Sequence, residues 1–157
     1  MEYMNQALAQ AKIAFDRDEV PVGAIVVDTQ TNKIIAIAHN LCEELNDPTA
    51  HAELLAIRTA CNIIGSNKLP YCDLYVTLEP CPMCATAISF ARIRRLYFAS
   101  YDLKSGGVEH GPKIFSSSSI HHIPEIYGGI KESEAGLLMK DFFQQKRSIF
   151  NKSDIKK

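Results

Sequence analysis

The sequence predicts an α/β protein, a three-layer α/β/α sandwich around a five-stranded mixed sheet. Apolar residues at helical spacing alternate along the chain with short runs of β-branched and aromatic residues. Strand, helix and strand patterns follow one another between residues 74 and 99, so these two strands should be parallel and joined by a right-handed crossover. With 157 residues, of which 46% are hydrophobic, the chain can bury one full core.

The N-terminal part of the chain predicts a helix followed by a hairpin. Residues 2–17 are expected to form an amphipathic helix. Residues 24–27 and 34–38 are apolar runs separated by a polar turn, so they should pair as a β-hairpin. The apolar side chains that recur at helical spacing in the first segment are Met4, Leu8, Ala11 and Phe15.

The centre of the chain predicts a helix and a buried strand. Residues 46–49 read as a turn or cap, and the helix is expected to begin at about His51 and to end at Ile64, where Gly65 closes it. Residues 74–78 are nearly all apolar or β-branched, as a strand covered on both faces should be. The expected buried stripe of the helix is Leu54, Ile57, Cys61 and Ile64.

The C-terminal half completes the predicted sheet. A short helix over 82–91 precedes a strand over 96–99. Residues 100–123 are rich in Gly and Ser and predict loops with at most one short helix. A fifth strand is expected over 125–128, followed by a terminal helix over 132–150. That helix should place three apolar residues on one side: Leu138, Phe142 and Ile149.

Bulk properties limit the functional classes. We expect one domain over residues 1–150 and a frayed tail over 151–157. The net charge of −1 gives no overall attraction for a polyanion, so a nucleic acid would need a local basic patch. The chain has no apolar run of about 20 residues and no basic-then-apolar leader pattern, so we expect neither a membrane span nor a secretory signal. Five cysteines, an odd number, fit a reducing cytoplasm better than a disulfide framework.

Two short motifs carry the chemistry. His51 and Glu53 belong to a His-Ala-Glu motif, and 28 residues after Glu53 a Pro-Cys-Pro-Met-Cys motif supplies Cys81 and Cys84. One imidazole and two thiolates suit zinc, a borderline-soft cation. Three protein ligands leave a tetrahedral ion one open position, which distinguishes a catalytic zinc from a structural one.

The motifs lie where helices are expected to begin. Cys81 precedes Pro82, a favourable first helical residue, so Cys84 falls in the first turn and both sulfurs can reach one point. The positive end of the helix dipole stabilises the two thiolates. Residues two apart on a regular helix point about 200° from each other. His51 and Glu53 therefore share one site only if the helix begins at about His51.

Glu53 separates a catalytic reading from a structural one. A zinc with two thiolate ligands acidifies water less than one with three neutral ligands, so a nearby base that moves protons becomes useful. A structural zinc would instead need a fourth protein ligand, and the sulfur candidates are Cys42, Cys61 and Cys72. Cys61 lies on the expected apolar stripe, where a free cysteine acts as a small core residue. A structural ion would leave Glu53 without a task.

The pairing of His-x-Glu with Pro-Cys-x-x-Cys is a described signature of zinc nucleobase deaminases. From about Tyr3 to Arg147 the chain closely resembles the bacterial tRNA-specific adenosine deaminases, which have the cytidine deaminase-like fold. The segments that carry the resemblance are residues 19–23, Asn40, residues 47–53, residues 74–81, Asp102, Lys104 and residues 106–107.

The resemblance implies one zinc ion per subunit, held by His51, Cys81 and Cys84, with Glu53 as the proton shuttle. It implies a cytoplasmic homodimer that converts adenosine to inosine at the wobble position of a tRNA anticodon. The residues that it places against the RNA are Asn40, Asp102, Lys104, Phe143, Lys146 and Arg147.

Each of these RNA contacts has a plainer alternative. Asn40 could be a turn residue, Asp102 and Lys104 could belong to a solvated loop, and Phe143 could be a core residue. The Ser-rich segment from 116 to 122 departs from the family pattern, and its two histidines read as exposed loop residues.

Two other functions remain open at this point. A guanine deaminase, or another deaminase of free bases or nucleosides, would use the same metal and the same glutamate. A non-catalytic RNA-binding zinc protein is the alternative of another class, and such proteins typically lose the glutamate that this chain retains at Glu53.

Overall fold

The computed structural model describes residues 2–154 of the chain, and side chains for residues 2–149. The strands are β1 (Gly23–Asp28), β2 (Lys33–His39), β3 (Cys72–Leu78), β4 (Arg95–Ser100) and β5 (Glu125–Tyr127). The α-helices are α1 (Glu2–Asp16), α2 (Cys42–Leu45), α3 (Ala52–Ile64), α4 (Pro82–Ala91) and α5 (Glu132–Asp154), and a 3₁₀ turn spans Ile114–Ser116.

The five strands form one mixed sheet in the order β2-β1-β3-β4-β5. β1 is antiparallel to both β2 and β3, whereas β3 and β4 are parallel, as are β4 and β5. The hairpin and the parallel β3-α4-β4 unit are therefore confirmed. Because β3 and β4 run in the same direction, their carboxyl ends, at Leu78 and Ser100, open at the same edge of the sheet.

Helices cover both faces of the sheet, which confirms the three-layer sandwich. On one face α3 and α4 pack on Leu74, Val76 and Phe98. On the other face Met4 of α1 and Ala135 of α5 pack against Ile25, Val27 and Ala99. Successive side chains of a strand point to opposite faces of the sheet, so these strands contribute to both cores. Among the described residues, no helix is long and apolar enough to span a membrane.

The boundaries of α3 follow the expectation, and so does its buried stripe at Leu54, Ile57 and Cys61, but not at Ile64. His51 is the N-cap, and Gly65 ends the helix in the left-handed conformation with φ 72°. Ile64, expected on the buried stripe, is 44% exposed. Ala56 and Ala60 are also buried in the same cluster, and these small side chains allow a close approach of the helix to the sheet.

The C-terminal helix also departs from the expected pattern. Phe142 is buried, whereas Ile149, expected on the same side, is 63% exposed. α5 contacts the sheet at β4 and packs on α1, and its later turns lie beyond these partners. The helix continues through residues 151–154, which we expected to be a frayed tail, and residues 155–157 of that tail lie outside the described part of the chain.

Candidate metal centre and substrate cavity

The candidate site lies where α3 and α4 begin, beside the carboxyl ends of β3 and β4. In α/β sheets ligands bind at this edge. His51 and Cys81 are the N-caps of α3 and α4, and both have extended backbone conformations. Pro82 follows as the first residue of α4, which places Cys84 in its first turn. The local capping pattern read from the sequence therefore sets the position of each of these side chains.

His51, Cys81 and Cys84 converge on one point. The Nδ1 atom of His51 lies 3.7 Å from the Sγ atom of Cys81 and 3.5 Å from that of Cys84. All three potential ligand atoms lie within 4.8 Å of one another. Tetrahedral zinc with ordinary bond lengths would hold nitrogen and sulfur ligands about 3.5 Å apart. The donor set and its spacing therefore fit a zinc ion.

A fourth protein ligand is absent from this group among residues 2–149, whose side chains are described. Cys72 is buried at the start of β3. Cys61 packs as a partly buried residue against the main core, and Cys42 begins α2. The group thus has the three-ligand composition of catalytic zinc sites, and the structural alternative finds no support in the described residues.

The three expected ligands differ in the direction in which their pKa values are shifted. Hydrogen bonding from Cys84 lowers the pKa of the Cys81 thiol, and the same contact together with burial raises the pKa of Cys84. The hydrogen bond with Cys81 raises the pKa of His51, although burial opposes this shift. A metal must displace the Cys84 proton when it binds.

Glu53 lies beside the three ligands without belonging to their group. It is in the first turn of α3, it is only 3% exposed, and its carboxyl group neighbours the Cys84 thiol. Burial raises the pKa of Glu53 to about 7. A carboxyl group with a pKa near neutrality can both accept and release a proton, which is the property that acid–base catalysis requires.

Two of the three ligands, His51 and Cys81, line a cavity of about 750 Å³. Its walls come from the ends of strands β2, β3 and β4, from the loop after β4 and from α5. Of the residues expected at the site, Cys84 is buried beneath the cavity and Lys146 does not line it. The other expected residues that line the cavity are Asn40, His51, Glu53, Cys81, Asp102, Lys104, Phe143 and Arg147.

Asn40 has a defined structural task at the cavity wall. It follows β2, it is buried, and its side-chain oxygen accepts a hydrogen bond of 2.9 Å from the backbone N–H of Ala52. Ala52 is the first residue of α3, so this bond satisfies a helical N–H that would otherwise lack a partner. Asn40 is therefore more than a turn residue, because it joins the end of β2 to the helix that carries Glu53.

The α5 residues divide between core and cavity. Phe142 fills the core, whereas its neighbour Phe143 is 42% exposed and lines the cavity, so Phe143 is not the core residue that the plainer alternative would make it. Arg147 lines the same wall. Lys146 instead forms an ion pair with Asp18, and its ammonium group lies 5.4 Å from the centre of the Phe142 ring.

One further expectation needs correction. His121 is exposed as expected, but His122 is half-buried. The Nε2 atom of His122 lies 2.6 Å from the Ile93 carbonyl oxygen, and its own carbonyl accepts a hydrogen bond from Ser89. These contacts attach the Ser-rich segment to the end of α4. Neither histidine lines the cavity.

Two buried carboxylates at the cavity were not assigned a role from the sequence. Glu19 accepts a hydrogen bond of 2.8 Å from the backbone N–H of Glu44. Glu79 follows β3 and accepts hydrogen bonds from the loop after β4. A charged residue directly between a buried strand and a metal-ligand motif was the signal for Glu79, since a buried charge needs partners.

Known proteins match the chain over most of its length. The family model of the MafB19-like deaminases matches residues 1–147. The tRNA-specific adenosine deaminase of Agrobacterium fabrum is 52% identical over 92% of this chain and 94% of its own length. A solved structure from a study of A-to-I editing by tRNA:A34 deaminases at the wobble position of transfer RNA is 52% identical, with a TM-score of 0.84 over 87% of this chain and 98% of that chain.

A solved guanine deaminase from Bacillus subtilis is also similar, at 38% identity with a TM-score of 0.60, but over 64% of this chain and 63% of that chain. The fold and the family match together define the class: the chain belongs to the deaminase family and is a hydrolytic deaminase with the cytidine deaminase-like fold. Within that family it belongs to the group of the tRNA-specific adenosine deaminases, as the resemblance implied.

Proposed function

We propose that this protein converts adenosine to inosine at the wobble position of a tRNA anticodon, with one zinc ion per subunit held by His51, Cys81 and Cys84. The observation that carries the proposal is a three-ligand group, two of whose members line a cavity together with the buried Glu53. The relatives named above support adenosine in tRNA over guanine, because their identity is higher and extends over more of the chain.

The metal and Glu53 have complementary tasks in this proposal. A bound zinc ion lowers the pKa of a water molecule and so supplies a nucleophile near neutral pH. Glu53 accepts a proton from the attacking water as its oxygen bonds to C6 of adenine, and passes that proton to the ring nitrogen N1. Glu53 then carries the proton of the new hydroxyl group to the amino group. Ammonia leaves, and the C6 carbonyl of inosine remains.

Burial makes Glu53 suited to this proton transfer. The side chain is enclosed at the start of α3, so its protons exchange with the substrate rather than with bulk water. Glu53 lines the cavity together with two of the expected metal ligands, His51 and Cys81. Geometry is the first requirement of a general acid–base group, and a fixed helical position meets it.

The remaining cavity residues are suited to an unstacked RNA loop. Phe143 offers an exposed ring on which a base can stack, and Arg147 and Lys104 supply positive charge for phosphates. Because the side-chain oxygen of Asn40 is used by Ala52, its NH₂ group is the part that remains for a nucleotide. These local groups are required because the protein as a whole carries a net charge of −1.

We also propose a homodimer in the cytoplasm. Phe90 and Ile123 are exposed apolar residues, and the hydrogen bond between their neighbours Ser89 and His122 brings the two segments together. An apolar patch of this kind is typical of subunit interfaces. Light scattering of the native protein should give twice the mass of one chain. Phe90→Lys should lower the measured mass toward that of one chain. A monomeric native protein would contradict the dimer. The proposed tRNA substrate supports a cytoplasmic location, and cell fractionation tests this location.

The decisive experiment uses an anticodon stem-loop with adenosine at the wobble position. We expect inosine from the purified zinc protein, and no ammonia when guanine replaces the RNA. Ammonia from guanine alone would overturn the substrate assignment. Glu53→Gln should retain one zinc per subunit and lose about 10²- to 10⁴-fold in rate. Glu132→Gln, at an exposed position in the first turn of α5, is the matched control and should retain the native rate.

A further inference from the structure

Glu79 is a buried carboxylate that the proposed chemistry does not use. It lies between the end of β3 and Pro80-Cys81, and it is 1% exposed. An isolated buried carboxylate is strongly unfavourable, so its partners must compensate for the lost hydration. The identity of those partners shows what this side chain holds in place.

All side-chain partners of Glu79 belong to one loop, residues 102–110, which follows β4. Its Oε2 atom accepts hydrogen bonds from the N–H of Asp102 at 3.0 Å and from the Nδ1 atom of His110 at 2.8 Å. Its Oε1 atom accepts three more, from the N–H groups of Val108 at 3.2 Å, Glu109 at 2.8 Å and His110 at 2.9 Å. One carboxylate therefore connects both ends of the loop to the segment that carries Cys81.

Two glycines let this loop lie directly on the metal-ligand segment. A Cβ atom at Gly106 would lie 2.6 Å from the Glu79 carboxyl carbon, and one at Gly107 would lie 2.6 Å from the Pro82 nitrogen. The N–H of Gly107 also donates to the Pro80 carbonyl at 2.8 Å. Because the loop cannot move closer to the metal-ligand segment, Glu79 and these contacts together fix the position of the loop at the cavity.

The held loop presents residues of the cavity wall. Asp102, Leu103, Lys104 and Ser105 all line the cavity. The Oδ1 atom of Asp102 accepts hydrogen bonds from the N–H groups of Lys104 at 3.0 Å and Ser105 at 2.9 Å, which orients the Asp102 carboxylate within the loop. A displacement of the Asp102 backbone would therefore move the whole wall together.

We propose that Glu79 and His110 form a positioning pair. The pair holds residues 102–105 of the cavity wall in the position required for RNA binding and takes no part in metal binding or proton transfer. This inference rests on the proposed function for its substrate. His110 completes the pair from the far end of the loop, since its imidazole N–H supplies the one side-chain donor that Glu79 receives. Neither residue touches the reacting atoms in this arrangement.

His110 is the better position for a test, because it is half-buried and distant in sequence from the ligands, whereas a change at Glu79 risks the fold. His110→Ala should raise KM for the anticodon stem-loop about tenfold, with kcat changed by less than about threefold and one zinc per subunit retained. His110→Asn should restore most of the loss, because its side-chain NH₂ can donate where Nδ1 does. His121→Ala, an exposed histidine outside the cavity, is the matched control.

Amide hydrogen exchange provides a readout that does not depend on turnover. Residues 102–110 should lose protection in His110→Ala and recover it in His110→Asn, while α3 and α4 remain protected. Unchanged protection, loss of zinc, or a fall in kcat with unchanged KM would each overturn the positioning role. If the native protein fails to act on the RNA, the proposed function fails, and the exchange result still decides whether the pair holds the loop.

Discussion

The two walls of the cavity are built in different ways. The metal wall consists of residues at or near helix N-caps, where short local motifs determine the position of His51, Cys81 and Cys84. The loop wall is held by Glu79, whose partners lie 23 to 31 residues further along the chain. Local capping therefore positions the reacting groups, whereas long-range hydrogen bonds to a buried charge position the surface that receives the substrate.

The largest effect should follow from breaking the metal wall. Cys84→Ala removes a ligand from a group that has three among the described residues, so we expect loss of the zinc ion and of at least 10³-fold in deamination rate. Zinc content and inosine formation are the measurements. Cys61→Ala alters a cysteine outside the group and should keep both. Native activity in Cys84→Ala would show that the metal wall is assigned wrongly.

A smaller effect should follow from lifting the loop wall. Gly107→Ala places a methyl group 2.6 Å from the Pro82 nitrogen and 2.8 Å from its Cα atom, so the loop must move away. A misplacement of about 1 Å can lower a rate 10²-fold, and we expect kcat/KM to fall 10- to 100-fold while zinc remains bound. Steady-state kinetics with zinc analysis checks this.

Gly65→Ala is the control for the loop substitution. A Cβ atom there meets no neighbour within 4 Å, but the residue has φ +72°, so alanine should lower the free energy of unfolding by about 1–2 kcal/mol and leave kcat/KM unchanged. If both glycine variants reduce kcat/KM equally, the loss reflects general instability, and the separation between the walls disappears.

The same contrast explains what the sequence could predict. The bounds of α4, the N-cap positions of His51 and Cys81 and the Gly65 cap depend on residues within a few positions of each other, and the structure agrees with all of them. The three-layer fold followed because the strand patterns and the crossover rule leave few topologies.

The features that sequence reasoning missed depend on distant partners. Ile64 is 44% exposed and Ile149 is 63% exposed, although helical spacing places each on an apolar side, because periodicity within a helix does not encode where its packing partners lie. His122 is held by Ile93, and Glu79 by the loop after β4. Each contact joins residues more than 20 positions apart, which local patterns do not record.

An ion pair at the opposite edge of the sheet, away from the cavity, should affect the free energy of unfolding but not RNA binding. Asp73 is buried and forms a two-bond ion pair with Arg94, at 2.8 and 2.7 Å. Asp73→Ala should lower the free energy of unfolding by about 2–3 kcal/mol, because it leaves a partly buried guanidinium without its partner. Urea unfolding measures this.

Glu44→Ala is the matched control for that ion pair. The Arg17–Glu44 pair has side chains 50% and 52% exposed, so its loss should change the free energy of unfolding by less than about 1 kcal/mol. Both variants should keep native KM for the RNA, since Asp73 does not line the cavity. A raised KM in Asp73→Ala would mean that this edge of the sheet also positions the cavity walls.

The smallest effect should appear at alkaline pH and compares two cysteines. Burial raises the pKa of Cys72 from 9.0 to about 11, whereas hydrogen bonding with Cys84 lowers the pKa of Cys81. The folded protein keeps the Cys72 proton to higher pH than the unfolded chain does. The stability associated with this thiol is therefore fully present below pH 9 and decreases as the pH rises toward 11, with a loss of about 1 kcal/mol at pH 10. Cys72→Ala should lose less stability between pH 8 and 10 than the native protein, in urea unfolding at each pH. Equal slopes would mean that Cys72 ionises as readily as a thiol in water. A thiol thus resists ionisation where it is buried in a strand, as at Cys72, and ionises more readily at Cys81, where the side chains of Cys84 and His51 lie within hydrogen-bonding distance.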